Sequence, residues 1–138
     1  MKSVGRLIFG AYILLFFSLP ALAFNPNTDQ DLIIWKKLAL FIASWIEQVE
    51  TNFQYTSNNP QIIQNGQIYI LQFSKINPES IVFRLKKTPD SYLGILEYDE
   101  VIYQATSTDL NQLKNTTCYP VKIRRLTEIF HYTNQGWQ

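Results

Sequence analysis

The sequence is poor in the residues that small proteins use for covalent cross-links and metal sites. Its 138 residues include one cysteine, Cys118, and one histidine, His131. A lone cysteine cannot form an internal disulfide, and these two residues cannot supply the ligands of a structural zinc ion. We therefore predict no metal site and expect Cys118 to be a small buried residue. The alternative, a thiol nucleophile, would require a base such as His131 beside it.

Charged residues are scarce as well. Asp, Glu, Lys and Arg make up 17% of the chain, with 12 bases against 11 acids. No segment concentrates the bases, so no nucleic-acid partner is expected. The chain also lacks phosphate-binding, dinucleotide-binding and nucleophile-elbow motifs, and no nucleophile–base pair is visible, so a hydrolase is the least favoured class. Aromatic residues make up 14% of the chain. They predict an aromatic core, with an aromatic ligand cavity as the alternative.

The first 23 residues have the layout of a secretory signal. Lys2 and Arg6 precede an apolar run at residues 7–19, Pro20 breaks the helix, and residues 21–23 form the small-x-small pattern that a signal peptidase recognises. The apolar run is shorter than the roughly 20 residues that span a bilayer as a helix. We therefore predict a cleaved signal peptide at 1–23.

The remaining residues, 24–138, are predicted to form a single domain that is exported to the periplasm or secreted. No stable membrane span is expected after cleavage, because the rest of the chain has no apolar run of sufficient length. One alternative is that the leader stays as a permanent anchor. The other is a misassigned start codon, in which case the domain would be cytoplasmic or lie in a plastid stroma.

The domain is predicted to begin with a helix. Asn27 or Thr28 can cap it, and Asp29 and Asp31 fall in its first turn, where the helix dipole favours acids. Apolar residues then follow at helical spacing: Leu32, Ile33, Trp35, Leu38, Phe41, Ile42, Trp45, Ile46 and Val49. The helical pattern weakens after Trp45, and residues 49–56 could form a strand instead.

Beyond this segment the apolar period changes from 3.6 to 2, which predicts strands. Residues 57–65 are predicted as a loop, followed by strands at 67–76, 80–87, 92–105 and 120–132, with turns at 77–79 and 88–91 and a short helix at 109–113. Residues 92–105 form one long strand or two bent ones. The fold class is therefore α+β, an N-terminal helix followed by an antiparallel meander. The sheet can close as a lipocalin-like calyx plugged by the helix, or wrap the helix as in cystatins.

The strand pattern also gives candidate ligand-binding residues. In a calyx, Tyr69, Phe73 and Tyr103 would line the cavity, and Arg84 or Arg124 would hold a carboxylate of the ligand through bidentate hydrogen bonds. For both arginines the alternative is a salt bridge to a neighbouring strand. Adjacent residues of a strand point to opposite faces, so Arg124 and its neighbour Arg125 are predicted to do so.

Three acids, Glu97, Asp99 and Glu100, lie close together on one predicted strand. Alternation places Glu97 and Asp99 on one face of that strand. Paired carboxylates can act as general acid and base. A solvated face is the preferred interpretation, and Glu97 is also a possible partner for one of the arginines.

Scattered residues resemble a known family. Trp45 and Gln48, followed by Thr51 and Phe53 and by the strand at 67–73, are similar in type and spacing to a W-x-S-Q-R-T stretch in the phycobiliprotein chromophore lyases of the CpcS/CpeS type. Residues 123–127 resemble the arginine-rich final strand of that family. Glu47 and Val49 depart from the motif, at its serine and its arginine. A second lyase family, the CpcT/CpeT type, is resembled at Tyr69 and Gln72 and across residues 113–121.

The resemblance implies a calyx that holds an open-chain tetrapyrrole (a bilin) and delivers it to a cysteine of an apo-phycobiliprotein. The bilin would be a transferred ligand, so no resident cofactor is expected. The first functional hypothesis is thus an exported bilin-holding chromophore lyase or chaperone. The alternative is a non-enzymatic envelope or periplasmic accessory protein that binds a partner through its sheet and has a filled core.

Overall fold

The computed structural model describes residues 27–138, so the predicted leader at 1–23 lies outside the described residues. The chain forms helix α1 (Asp29–Thr51), strands β1 (Gln61–Asn65), β2 (Ile68–Lys87) and β3 (Tyr92–Ser107), helix α2 (Leu110–Leu113), and strands β4 (Tyr119–Thr133) and β5 (Gly136–Trp137). The predicted α+β class, a helix followed by an antiparallel meander, is confirmed.

Helix α1 begins where the sequence predicts. Thr28 is the N-cap residue, and its hydroxyl oxygen accepts the backbone N–H of Asp31 at 3.1 Å. The helix continues to Thr51, so the alternative of a strand at 49–56 is wrong. Its buried apolar residues, Ile34, Leu38, Ile42 and Ile46, are spaced by four and therefore form one stripe along the helix.

The five strands lie in sequence order, β1-β2-β3-β4-β5, and every neighbouring pair is antiparallel. The long strands curl the sheet into a half-barrel around α1. Within residues 27–138 no pairing joins β1 to β5, so the sheet remains open. Helix and sheet approach closely at Gly94, because a Cβ there would lie 2.5 Å from Leu38 Cδ1. Burial of the apolar stripe of α1 is the main stabilising interaction between the helix and the sheet.

Three local predictions need correction. Residues 61–65, predicted as loop, form strand β1, because Gly66 adopts a positive φ of 61° that allows a two-residue turn into β2. The turn predicted at 77–79 is a bulge inside the continuous strand β2, where the register with β3 shifts between Asn77 and Val82. Strand β5 was not predicted, and it forms a hairpin with the end of β4.

The bulge is held by hydrogen bonds from Ser80. Its hydroxyl donates to the Asn77 carbonyl at 2.6 Å and accepts the backbone N–H of Asp99 at 2.8 Å, and its own carbonyl accepts a hydrogen bond from Arg125 Nη1 at 3.0 Å. Backbone groups left unpaired by the bulge are thereby satisfied. The strand can therefore bend without breaking.

Two buried clusters lie on opposite faces of the sheet. The larger one, on the inner face under α1, contains Ile34, Leu38, Ile42, Ile46, Ile76, Ile81, Tyr92, Leu96, Tyr98, Phe130 and Trp137. The smaller one contains Leu71, Ala105 and Leu113 and is covered by α2 on the outer face. Even-numbered residues of β3 such as Leu96 face α1, and odd-numbered residues such as Ala105 point away from it, so the two clusters lie on opposite faces.

Candidate functional site

The inner face of the half-barrel is filled by protein. Leu38 and Ile42 of α1 are fully buried against the sheet, and Leu96 of β3 is fully buried under α1. Phe41 and Trp45 pack edge-on against Phe130, with ring centroids 4.9 and 5.1 Å apart. The aromatic core is thus confirmed on this face, and it occupies the space in which a calyx would hold a ligand.

Two recesses are present on the surface of the described chain. The first, of about 480 Å³, lies beside the β2–β3 turn and is lined by Gln30, Ser91, Tyr92, Tyr132 and Asn134 among others. The second, of about 420 Å³, lies at the end of α1 near Glu47 and Phe53. Neither contains any of the five predicted ligand-binding residues. Neither recess is therefore the ligand site that those five residues were predicted to line.

Three of the five predicted residues lie together on the outer face. Phe73 and Tyr103 are directly paired across β2 and β3, and their rings stack with centroids 5.4 Å apart. Tyr69 and Cys118 pack against the same small cluster. This aromatic patch is partly covered by α2, on the side of the sheet opposite α1.

The two predicted arginines lie on opposite faces of the sheet, and both form ion pairs. On the outer face, Arg84 Nη1 lies 3.0 Å from Glu97 Oε2. On the inner face, Arg124 Nε donates to Glu100 Oε2 at 3.0 Å, and Arg124 Nη2 contacts the same oxygen. The structure therefore shows the salt bridge to a neighbouring strand that was the alternative for each arginine.

Arg125 points away from Arg124, as predicted, and its Nη1 lies 3.1 Å from Asp99 Oδ1. Glu97 and Asp99 share the outer face, also as predicted, while Glu100 is buried on the inner face. Each of the three acids thus has an arginine partner. None of these three carboxylates is therefore left without an ion-pair partner.

The lone cysteine and histidine lie at opposite ends of β4. Cys118 precedes the strand and His131 is near its end, so about 40 Å of extended chain separates them. The pair is therefore not a thiol nucleophile and its base. Within residues 27–138 no group of three or more His, Cys, Asp or Glu side chains is arranged to hold a metal ion.

The most strongly perturbed ionisable groups are structural. The buried Asp31 carboxylate accepts hydrogen bonds from the Tyr92 hydroxyl at 2.7 Å and from Lys87 Nζ at 3.2 Å. These partners lower the pKa of Asp31, the Tyr92 hydrogen bond having the largest effect, and the carboxylate in turn raises the pKa of Lys87 and of Tyr92. Burial and the nearby Glu128 carboxylate raise the pKa of Tyr98 to about 12. Each of these groups takes part in a side-chain hydrogen bond between two elements of the fold.

The sheet of the described chain has outer strands at both ends, and the longer uncovered edge beside strongly exposed isoleucines is that of β4. Strand β5 pairs only with Tyr132 and Thr133, and beyond it His131 exchanges backbone hydrogen bonds with Gln138. From Tyr119 to Phe130 no strand of the described chain covers that edge. Ile123 and Ile129 beside it are 64% and 59% exposed. An uncovered edge with exposed aliphatic side chains is a template for another strand.

Sequence reasoning did not identify this edge. Alternation of Ile123, Arg125, Thr127 and Ile129 predicts a strand, but whether a strand is central or at an edge depends on pairings with distant residues. The only local signal is Pro120, a residue that sheets tolerate mainly at edges and bulges, and it lies next to a register shift in the β3–β4 pairing.

Comparison of the chain with protein-family models, with curated proteins and with solved structures finds no match in any of the three. Within residues 27–138 no helix combines the length and apolarity needed to cross a membrane.

Proposed function

We propose that this protein is a non-enzymatic, exported accessory domain that binds a protein partner through the free edge of β4. The observation that carries the proposal is the contrast between the filled inner face of the sheet and the uncovered edge of β4. Helix α1 fills the inner face with fully buried side chains, whereas alternate residues of β4 between Tyr119 and Phe130 present unpaired backbone groups at the free edge, beside exposed isoleucines. Extended segments bind such edges through main-chain hydrogen bonds, and neighbouring side chains select the partner.

The chemistry of the described residues favours binding over catalysis. The acids on β3 are neutralised by arginines, and the perturbed groups at Asp31 and Tyr98 are engaged within the fold. A general acid or base needs a group that can reach a substrate and exchange a proton with it. The Asp31 and Tyr98 groups are instead buried contacts between elements.

The proposal is tested by photo-crosslinking in the cells that export the protein. A photoreactive phenylalanine analogue replaces Ile123 on β4 or, as the matched control, Leu40, which is 70% exposed on α1. We expect an adduct from position 123 and none from position 40, with the crosslinked peptide of the partner identified by mass spectrometry. Absence of an adduct at 123, or equal adducts from both positions, would contradict the proposal.

A bilin-holding function is the second proposal, and the observation that favours it is the aromatic patch of Tyr69, Phe73 and Tyr103 beside Cys118. It requires that the half-barrel close into a calyx or that α2 move to admit the ligand. Titration of the full chain with phycocyanobilin tests it. A shifted and sharpened visible absorbance that Phe73→Ala weakens would support it, and an unshifted spectrum would rule it out.

A further inference from the structure

We propose that the partner of the β4 edge is a second copy of this chain, paired antiparallel about a two-fold axis at Leu126. The inference rests on the proposed function, because it names what the free edge binds. Strand β4 of one copy would add to β4 of the other and make one continuous sheet across the dimer.

Backbone direction limits the possible registers. His131 exchanges its N–H and C=O bonds with Gln138 of β5, at 2.9 and 3.0 Å, so its backbone groups face away from β3. Alternate residues of a strand face alternate edges. The pairing with β3 is regular from Lys122 to His131, so Ile123, Arg125, Thr127 and Ile129 direct their N–H and C=O groups to the free edge. In a two-fold pairing, the backbone groups of these residues in one copy must form hydrogen bonds with those of the same residues in the other copy.

Side-chain complementarity then selects one register. With the axis at Leu126, Arg124 lies opposite Glu128 of the second copy, and Glu128 lies opposite Arg124. Both are non-hydrogen-bonded pairs, in which side chains approach most closely. Within residues 27–138 Glu128 has no ion-pair partner, since the four salt bridges of the described chain do not include it. The Arg124 side chain is 51% exposed even with Glu100 bound to it.

The apolar residues match in the same register. On the outer face Ile123 lies opposite Ile129 in both halves of the dimer, so the isoleucines that are exposed in one copy would cover each other. On the inner face Leu126 lies opposite itself. Arg125 lies directly opposite Thr127. The two Arg125 side chains are diagonal neighbours, and each stays paired with its own Asp99, which offsets their like charge.

Neighbouring registers lack this match. An axis at Arg125 or at Arg124 places an arginine directly opposite itself, which is destabilising. An axis at Thr127 leaves Arg124 opposite Phe130 and puts Glu128 against Leu126. The paired segment is also bounded on both sides, because Pro120 has no N–H at one end and β5 covers His131 at the other. The self-pairing ladder would therefore run from Ile123 to Ile129.

The register is tested by disulfide formation in the full chain carrying Cys118→Ala. Leu126→Cys would bring two Cα atoms to about 4.5 Å across the axis, within the range of a disulfide. Thr127→Cys is the matched control, because in this register the two copies of position 127 lie diagonally, at about 7–8 Å from each other. We expect mild oxidation to link the Leu126→Cys chain into a covalent dimer and to leave the Thr127→Cys chain without a disulfide link. Linkage at 127 and not at 126, or at neither position, would overturn the proposal.

A second variant protects the test against misfolding at position 126. Glu128→Lys would place a lysine opposite Arg124 of the second copy, and Glu47→Lys makes the same charge change at an exposed position on α1. In sedimentation equilibrium we expect Glu128→Lys to weaken self-association by about tenfold or more and Glu47→Lys to leave it unchanged. Equal association constants for the two variants would overturn the proposal.

Failure of the inference can be told apart from failure of the proposed function. If position 123 crosslinks to a different protein and the Leu126→Cys chain forms no disulfide-linked dimer, the edge binds a partner that is not a second copy, and the inference falls alone. If neither experiment gives an adduct, both fall. An adduct at 123 with the mass of two chains supports both.

Discussion

Asp31 ties the start of α1 to the sheet through one carboxylate oxygen. Oδ1 accepts hydrogen bonds from both Tyr92 and Lys87, which come from opposite sides of the β2–β3 turn, while the backbone N–H of Asp31 is bound by the Thr28 hydroxyl. One buried residue therefore takes part in the helix cap and positions the helix on the hairpin. Removing a charged group from such a network leaves its partners unsatisfied, which is the costly case for a buried hydrogen bond.

The lowered pKa of Asp31 makes this contribution dependent on pH. A carboxyl group whose pKa is lowered by folding stabilises the folded state above its ordinary pKa of about 3.9, and this stability is lost as the pH falls through the folded value. We expect Asp31→Asn to lower the urea midpoint most near pH 7, with the difference from the parent protein narrowing below about pH 4. Asp29→Asn, an exposed position of the same helical turn, should change the midpoint little. A difference that stayed constant from pH 7 to acid would contradict this account.

At the scale of elements, α1 is fixed by one stripe of apolar side chains. Ile42 is fully buried under the helix, and Leu40 is 70% exposed on its other side. Deleting a buried isoleucine side chain removes its transfer energy and leaves a cavity, which costs about 2–5 kcal/mol. We expect Ile42→Ala to lower the free energy of unfolding by this amount and Leu40→Ala by less than about 0.5 kcal/mol in the same urea titration. Equal losses would show that α1 does not pack as described.

Elements with strong local signals could be predicted from the sequence. The Thr28 cap, the acids of the first turn and the spacing of apolar residues indicated the start of α1, and alternation indicated the long strands. Strand β1 could not be found, because four of its five residues are exposed and it exists only by pairing with β2. The bulge at 77–82 resembled a turn because Asn77 and Pro78 are common in turns, and pairing with β3 decided the outcome.

The site was less predictable than the fold. Strand alternation placed Arg124 and Arg125 on opposite faces correctly, and it placed Glu97 and Asp99 on one face. It could not show that Arg84 and Arg124 also lie on opposite faces, since this depends on how the bulge and the strand pairings set the register between β2 and β4. The free edge of β4 is a property of strand order, and no local pattern specifies strand order.

At the scale of the whole molecule, the two edges of β4 differ in the backbone groups that are free to bind a partner. One edge is bound to β3 over nearly its full length, and the other is free from Tyr119 to Phe130 in the described chain. Natural proteins rarely leave a long edge uncovered without a charge, a bulge or a partner that prevents aggregation. Here Pro120 and β5 limit both ends, which leaves a defined segment for one partner strand.

Hydrogen exchange of the β4 amides, measured residue by residue in the full chain, tests the claim of a free edge that binds a second copy. The N–H groups of Arg124, Leu126 and Glu128 face β3, and those of Ile123, Arg125, Thr127 and Ile129 face the free edge. We expect the first group to be protected at every protein concentration and the second to exchange fast in dilute solution and become protected as concentration rises. Edge-facing amides that are protected even at high dilution, or that exchange fast at all concentrations, would contradict the account.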